Sequence, residues 1–322
     1  MVDVLSQVRR AIIGQGCVFD GPFGQKMLLY ADWAASGRAL APIEDFLRTD
    51  VLPLYGNTHT TTSISGLQST CYRQEARQVI AQACNARIGY SDAHADVVVF
   101  VGSGSTGAVN KLVLVLGIHL PLPSLAPVTA QPVVFIGPHE HHSNILPWRE
   151  SSAKVIQIPE GLDGHIDRTA LREQLKLHSR HSLLIGSFSA ASNVTGLVAD
   201  VDGITEDLHR ASALAFWDYA SAAPYLTIDM NPVRFLPNGS LNPYVYKDAV
   251  FISPHKFPGG PGTPGILVAK RSLFVNEIPS EPGGGTVFFV TEADQRYLSN
   301  RQEREEGGTQ DILARSWLLN KI

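Results

Sequence analysis

Short, uninterrupted apolar runs rich in β-branched residues recur at residues 97–101, 133–136, 155–158, 183–185, 214–217, 250–252 and 266–269, with helical patterns between several of them. Runs that do not alternate with polar residues suit strands covered on both faces. The rhythm therefore predicts an α/β fold built on a mainly parallel sheet flanked by helices. Helices are expected over residues 68–86, 105–116, 168–178 and 203–213. Asp167 stands before one expected start and Gly89 after one expected stop, as capping requires. Residues 119–132 contain Pro121, Pro123, Pro127 and Pro132, which predicts an exposed connection. Open α/β sheets bind ligands beyond the carboxyl ends of their strands, and four polar motifs of this chain fall at such ends.

Composition narrows the classes of function. With 322 residues and 44% hydrophobic content, the chain can bury one large core or form two unequal domains. A net charge of -4, a pI near 6.2 and scattered Lys and Arg leave no basic footprint for nucleic acid or an anionic membrane. Small-molecule chemistry is the expectation. The longest apolar stretch, residues 112–118, is too short to span a bilayer. Residues 1–14 lack the apolar core of a signal peptide, so a cytoplasmic protein is expected. Cys17, Cys71 and Cys84 show no Cys-x-x-Cys spacing. Buried, reduced thiols are the expectation.

The most informative residue is Lys256, in the run Ser253-Pro254-His255-Lys256-Phe257-Pro258-Gly259-Gly260 directly after the strand at 250–252. An ε-amine condenses with an aldehyde only when neutral, and desolvation or a neighbouring cation promotes loss of its proton. The following glycines and prolines let backbone approach a ligand while fixing the loop. His255 is the adjacent polarising group, and a solvated surface lysine is the alternative.

Gly102-Ser103-Gly104-Ser105-Thr106-Gly107 leaves the strand at 97–101 and opens a helix. A glycine-rich turn feeding a helix N-terminus offers N–H groups and hydroxyls to an anion, most often phosphate. Its glycine spacing is not that of a Walker A motif, and a purely structural turn is the alternative. His139-Glu140-His141-His142-Ser143-Asn144 follows the strand at 133–136. Neighbouring loop residues diverge, so no metal site is expected; an imidazole stacked on a ring, or a satisfied loop histidine, fits better. Asp218, at the end of Phe216-Trp217-Asp218-Tyr219-Ala220-Ser221, could keep a pyridine nitrogen protonated, or could cap a turn. Asn193, in Asn193-Val194-Thr195-Gly196, could present an amide to a cofactor or substrate oxygen, or merely shape a turn.

Taken in chain order, these motifs resemble the class V aminotransferase family of pyridoxal-5′-phosphate (PLP) enzymes, which includes cysteine desulfurases and selenocysteine lyases. The likeness runs from Tyr30-Ala31-Asp32-Trp33-Ala34-Ala35-Ser36 through Tyr55-Gly56-Asn57-Thr58-His59 to Glu306-Gly307-Gly308-Thr309. It implies the fold type I of PLP-dependent transferases. Residues 1–50 would form an N-terminal segment, 51–290 the PLP-binding large domain and 291–322 the start of a small domain that is largely missing.

By that resemblance Lys256 forms the internal aldimine and shuttles the substrate's α-proton. Asp218 pairs with the pyridine nitrogen, and His141 stacks on the ring and serves proton transfer. Ser105 and Thr106 hold the phosphate, with Ser253 and His255 completing the turn. Asn193 lies near the ring hydroxyl and the substrate carboxylate. Ser221 stands where the family usually has Gln. The family's homodimers place sites at the subunit interface, so Thr309 would reach the partner's phosphate and Asn57 or His59 would line the partner's site. Gln310 stands where Pro usually follows that threonine.

Two further departures qualify the activity. No cysteine follows Cys84, which argues against the usual persulfide route of desulfurases. The chain stops in what reads as a helix at 319–322, and none of Arg301, Arg304 and Arg315 matches the family's carboxylate-binding arginine. The expectation is a PLP-dependent transferase or lyase acting on a small-molecule amino-acid substrate, homodimeric, without metal, nucleic acid or membrane. The alternative is a catalytically incomplete or truncated PLP-binding chain without turnover. A phosphate-binding or metal hydrolase built on the histidine cluster is a third reading.

Overall fold

A computed structural model describes residues 3–58, 60–89, 92, 94–309 and 311. The chain opens with α1 (Val4–Ala11), the hairpin of β1 (Val18–Gly21) and β2 (Gly24–Met27), the short α2 (Ala41–Phe46) and the long α3 (Ile64–Ala83). There follow β3 (Asp96–Val101), α4 (Gly104–Val115), β4 (Val133–Ile136), α5 (Leu146–Arg149), β5 (Lys154–Gln157) and α6 (Arg168–Leu177). Then come β6 (Leu184–Ser189), α7 (Val201–Arg210), β7 (Leu214–Asp218), β8 (Ala249–Ile252) and β9 (Gly265–Lys270). A hairpin of β10 (Val287–Val290) and β11 (Gln295–Tyr297) precedes α8 (Arg301–Arg304).

Among the described residues, the seven apolar runs form one seven-stranded sheet in the order β3-β9-β8-β7-β6-β4-β5. It is parallel from β8 through β5, while β9 runs antiparallel to both β3 and β8. Alternate residues feed opposite faces. Val98, Phe100, Phe135 and Trp217 pack with α3, α6 and α7 on one face, and Val99, Val134, Phe216 and Phe251 pack with α4 and Trp148 on the other. Both faces are dry, which explains the unbroken apolar runs.

Several boundaries differ from expectation for local reasons. The run at 183–185 is the start of β6, which continues through Gly186 to Ser189 in register with β7, ending at the pair Ser189↔Asp218; its serines hide it in sequence. The third helix starts at Ile64, where the Ser63 hydroxyl accepts from the Gly66 N–H, and the chain leaves it through Asn85 at φ 49. The helix expected at 203–213 starts at Val201 under an Asp200 cap, and Ser212 at φ 57 lies beyond its end. Residues 119–132 are mostly exposed and include one short turn, Val128–Ala130. The cysteines correct the expectation of burial: Cys17 is exposed, Cys71 intermediate and Cys84 buried, all as free thiols, because Cys17 leads into the surface hairpin β1–β2.

β3 is an edge strand, and its outward N–H groups are met by side chains from the end of the described chain. Val98 N–H donates to Gln302 (3.0 Å) and Phe100 N–H to Glu306 Oε1 (2.8 Å). Glu306, fully buried, also accepts from Arg73 (2.6 Å) and Arg77 (2.8 Å), one turn apart on α3. This triad covers an edge that would otherwise recruit foreign strands. The boundary expected at 290/291 falls in the turn of the β10–β11 hairpin. His59, Gln310, Arg315 and the helix expected at 319–322 lie outside the described residues. Among the described residues, no helix is long and apolar enough to cross a membrane.

Removing one member of a buried ion cluster leaves the others unsatisfied. Glu306→Ala is expected to lower unfolding stability by about 3–5 kcal/mol, read in urea melts. A loss under about 1 kcal/mol, the scale of exposed pairs, would show that the triad contributes only as a surface contact does.

Candidate active site

The carboxyl ends of β3, β4, β6, β7 and β8 converge on a cavity of about 540 Å³. Lys256 enters it from a turn, Pro254–Lys256, that begins where β8 ends. That turn is clamped by the segment after the N-terminal hairpin: Gly37 N–H donates to the His255 carbonyl (2.8 Å), and Gly259 N–H donates to the Arg38 carbonyl (2.7 Å). A Cβ at Gly37 would stand 1.9 Å from the Phe257 carbonyl oxygen, so only glycine permits this approach.

Asp218 lies at the end of β7, 3% exposed. Burial pushes its carboxyl up to about 6; the Ala220 N–H, the Lys256 charge and the Ser105 hydroxyl oppose that rise. Burial also lowers the Lys256 amine, against the opposing pull of Asp218 and Asp32. An amine depressed in this way is more often neutral, the form that attacks a carbonyl.

The opposite wall is the start of α4. Ser105 N–H donates to Ser253 Oγ (2.8 Å), which itself stands 3.3 Å from Ser105 Oγ. Thr106 Oγ1 lies 2.7 Å from Ser143 Oγ. Gly104 holds φ +50, and a Cβ there would stand 2.7 Å from Ser253 Oγ, so the helix end fits closely against the lysine turn. Hydroxyls gathered at a helix N-terminus suit a dianionic phosphate.

His141 is exposed to the cavity. Its Nδ1 accepts from the Ser143 N–H (3.2 Å), which leaves Nε2 to carry the proton of the neutral ring. Burial, then Lys256, then His142 lower its pKa, and the same first two causes lower His255. Ser221 donates its hydroxyl proton to the Ala191 carbonyl (2.8 Å), so it faces the cavity as an acceptor.

Nine of the residues singled out in sequence line this one cavity: Ser105, Thr106, His141, Asn193, Asp218, Ser221, Ser253, His255 and Lys256. Thr309 is not among the lining residues; its hydroxyl donates to Asn57 Oδ1 at 3.4 Å. Sequence reasoning gave no site role to Asp32, Ser103, Ser143, Ser189 or Thr263, which also line it. Asp32 sat in a quoted motif as the only acid, a usable signal, whereas Ser189 lay hidden in the polar half of β6. In the histidine cluster the side chains diverge: His139 Nε2 meets the Gly164 carbonyl (2.9 Å) while His141 faces the cavity. Among the described residues, no group of three His, Cys, Asp or Glu could hold a metal. A larger hollow of about 780 Å³ adjoins across Ser189, but its Arg168 is engaged by Asp200 (2.6 Å) and Asp207 (2.7 Å).

Residues 29–319 match the family model described as Aminotransferase class-V. The chain belongs to the class V aminotransferases. It is 25% identical over 296 residues to a probable cysteine desulfurase of Halalkalibacterium halodurans, and 25% identical over 297 residues to one of Pyrococcus abyssi. Each comparison covers 91% of this chain and 65% of the relative, so the chain spans about 65% of the length of these curated relatives. Among solved structures, the apo cysteine desulfurase of Thermococcus onnurineus NA1 superposes with a TM-score of 0.77 at 21% identity, covering 99% of this chain and 70% of that one. The cysteine desulfurase CsdA of Escherichia coli gives 0.72 at 21% identity over the same shares. The class V chain thus has the PLP type I fold of these structures.

Two acids with raised pKa values carry a stability signature. Asp218 rises from 3.8 to about 6, and Glu140, also through burial, from 4.5 to about 7. The folded state favours their protonated forms, so stability present at about pH 4 is lost as pH rises to about 7. Asp218→Asn is expected to flatten that dependence and to raise the thermal midpoint of the ligand-free chain at pH 8. Equal midpoints and equal pH slopes for the two chains would contradict this.

Proposed function

We propose that this chain is a PLP-dependent transferase or lyase of the class V type that acts on an amino acid at Cα or Cβ. The observation that carries the reading is the placement of Lys256 and buried Asp218 on one cavity, opposite a hydroxyl-lined helix N-terminus. The donor set fits the cofactor: Ser105, Thr106, Ser253 and His255 would hold the phosphate, Asp218 the pyridine nitrogen, and Lys256 the aldehyde carbon. His141 would cover the ring face, and Asn193 would serve the ring or substrate oxygens.

When bound, PLP supplies an electrophilic carbon for the substrate amine and a protonated ring that withdraws electrons from Cα. The protein groups do the rest. Asp218 is held in a dry site, and its need for a cationic partner keeps the ring nitrogen protonated. Lys256, with a lowered pKa, takes up and returns a proton at Cα. His141, neutral with its proton on Nε2, covers the site and can pass a proton to solvent. Ser221, whose hydroxyl proton goes to the Ala191 carbonyl, would meet the ring oxygen as an acceptor rather than a donor.

A homodimer is part of the reading. Phe19, Phe23 and Met27 on the first hairpin and Phe288 and Val290 on the last are exposed, Phe23 at 89% and Phe288 at 73%, and apolar surface of this kind marks association sites. Thr309 and Asn57, bonded to each other outside the cavity, would then serve the partner's site.

Titration with PLP should generate a visible absorption band in the wild-type chain and none in Lys256→Ala, with free PLP as the reference spectrum. The same band in Lys256→Ala would overturn the reading. Screening amino acids for those that shift the band, with product analysis, separates turnover from binding without turnover.

A further inference from the structure

Glu140 precedes His141, yet its carboxyl turns from the cavity into a cage of donors. Oε1 accepts from the Ser189 N–H (2.9 Å) and the Gly137 N–H (3.3 Å); Oε2 accepts from Ser189 Oγ (2.7 Å) and Asn144 Nδ2 (2.6 Å). Gly137 stands just before the His141 loop and Asn144 just after it. Ser189 ends β6, faces Asp218 across the sheet and lines the cofactor cavity. One carboxyl therefore ties both ends of the loop to the strand beside Asp218. The approach is close: a Cβ at Gly137 would stand 2.8 Å from Glu140 Oε1.

The cage fixes which atoms can occupy it. Asn144 is fully buried, and its Oδ1 accepts from Ser187 Oγ (2.6 Å) and Trp148 Nε1 (3.1 Å). Its amide cannot flip without stranding those donors, so Nδ2 must point at Glu140. The His141 ring, by contrast, is hydrogen-bonded to Ser143 within its own loop.

We propose that Glu140 is a positioning residue that closes the His141 loop onto the end of β6, setting where the imidazole stands over the cofactor and holding Ser189 as an acceptor toward it. This rests on the reading of the cavity as a PLP site. Glu140→Gln keeps the volume but presents an amide NH₂ to neighbours that are themselves donors. Losing a hydrogen bond to this carboxyl weakens a dependent equilibrium by about tenfold.

The test compares PLP-loaded wild type, Glu140→Gln, His141→Ala and the double variant by PLP affinity and by the visible circular dichroism of the bound cofactor, which reports the asymmetry around the ring. Glu140→Gln should bind PLP about tenfold more weakly with an altered visible dichroism. In the His141→Ala background it should add little, because coupled residues are non-additive. A Glu140→Gln chain with wild-type affinity and dichroism, or fully additive effects, overturns the inference. Should Glu140→Gln fail to fold, Ser189→Ala carries the same cycle, and wild-type dichroism in that variant overturns it equally. A wild-type chain that takes up no PLP overturns the functional reading and this inference together, whereas a loaded wild type with an indifferent Glu140→Gln overturns this inference alone.

Discussion

A buried carboxyl at the end of β7 and a half-buried amine just past the end of β8 share one cavity, and neighbouring parts of the site manage that arrangement. Burial alone drives each toward its neutral form, Asp218 upward and Lys256 downward, and their mutual attraction offsets part of the penalty. A site of this kind is unfavourable until a ligand supplies complementary charge, which is the expected trade of stability for function. The parallel sheet makes the arrangement possible, because it brings the ends of β3, β4, β6, β7 and β8 to one edge while both faces stay dry.

Supporting contacts lie away from the chemistry. Gly37 and Gly259 let the segment after the first hairpin clamp the lysine turn. Gly265 lets β9 pass so near α4 that a Cβ there would stand 2.1 Å from the Gly104 carbonyl oxygen. Glu306, joined to Arg73 and Arg77, holds the stretch leading to Thr309 against β3. These are close backbone approaches and long-range ion pairs, for which sequence spacing gives no local signal.

That contrast explains what could be read in advance. The central strands were visible because burial on both faces leaves a continuous apolar run, and Ser105, Asp218, Ser253 and Lys256 were visible because their motifs follow the ends of such runs. β6 was only half visible, since Ser187 and Ser189 are polar inside a strand, and the Glu140 network that uses them was invisible for the same reason. Cys17 was misread as buried because composition says nothing of a hairpin standing off the core. The family likeness was legible as ordered motifs, and the match over residues 29–319 confirms it.

Lys256 is the proposed point of covalent attachment for PLP. Reducing the PLP-loaded chain with borohydride, digesting it and locating the modified lysine by mass spectrometry tests it most directly. Modification confined to the peptide bearing Lys256 is the expected result. Modification at another lysine, such as Lys154 or Lys26, or spread evenly over surface lysines, would contradict it.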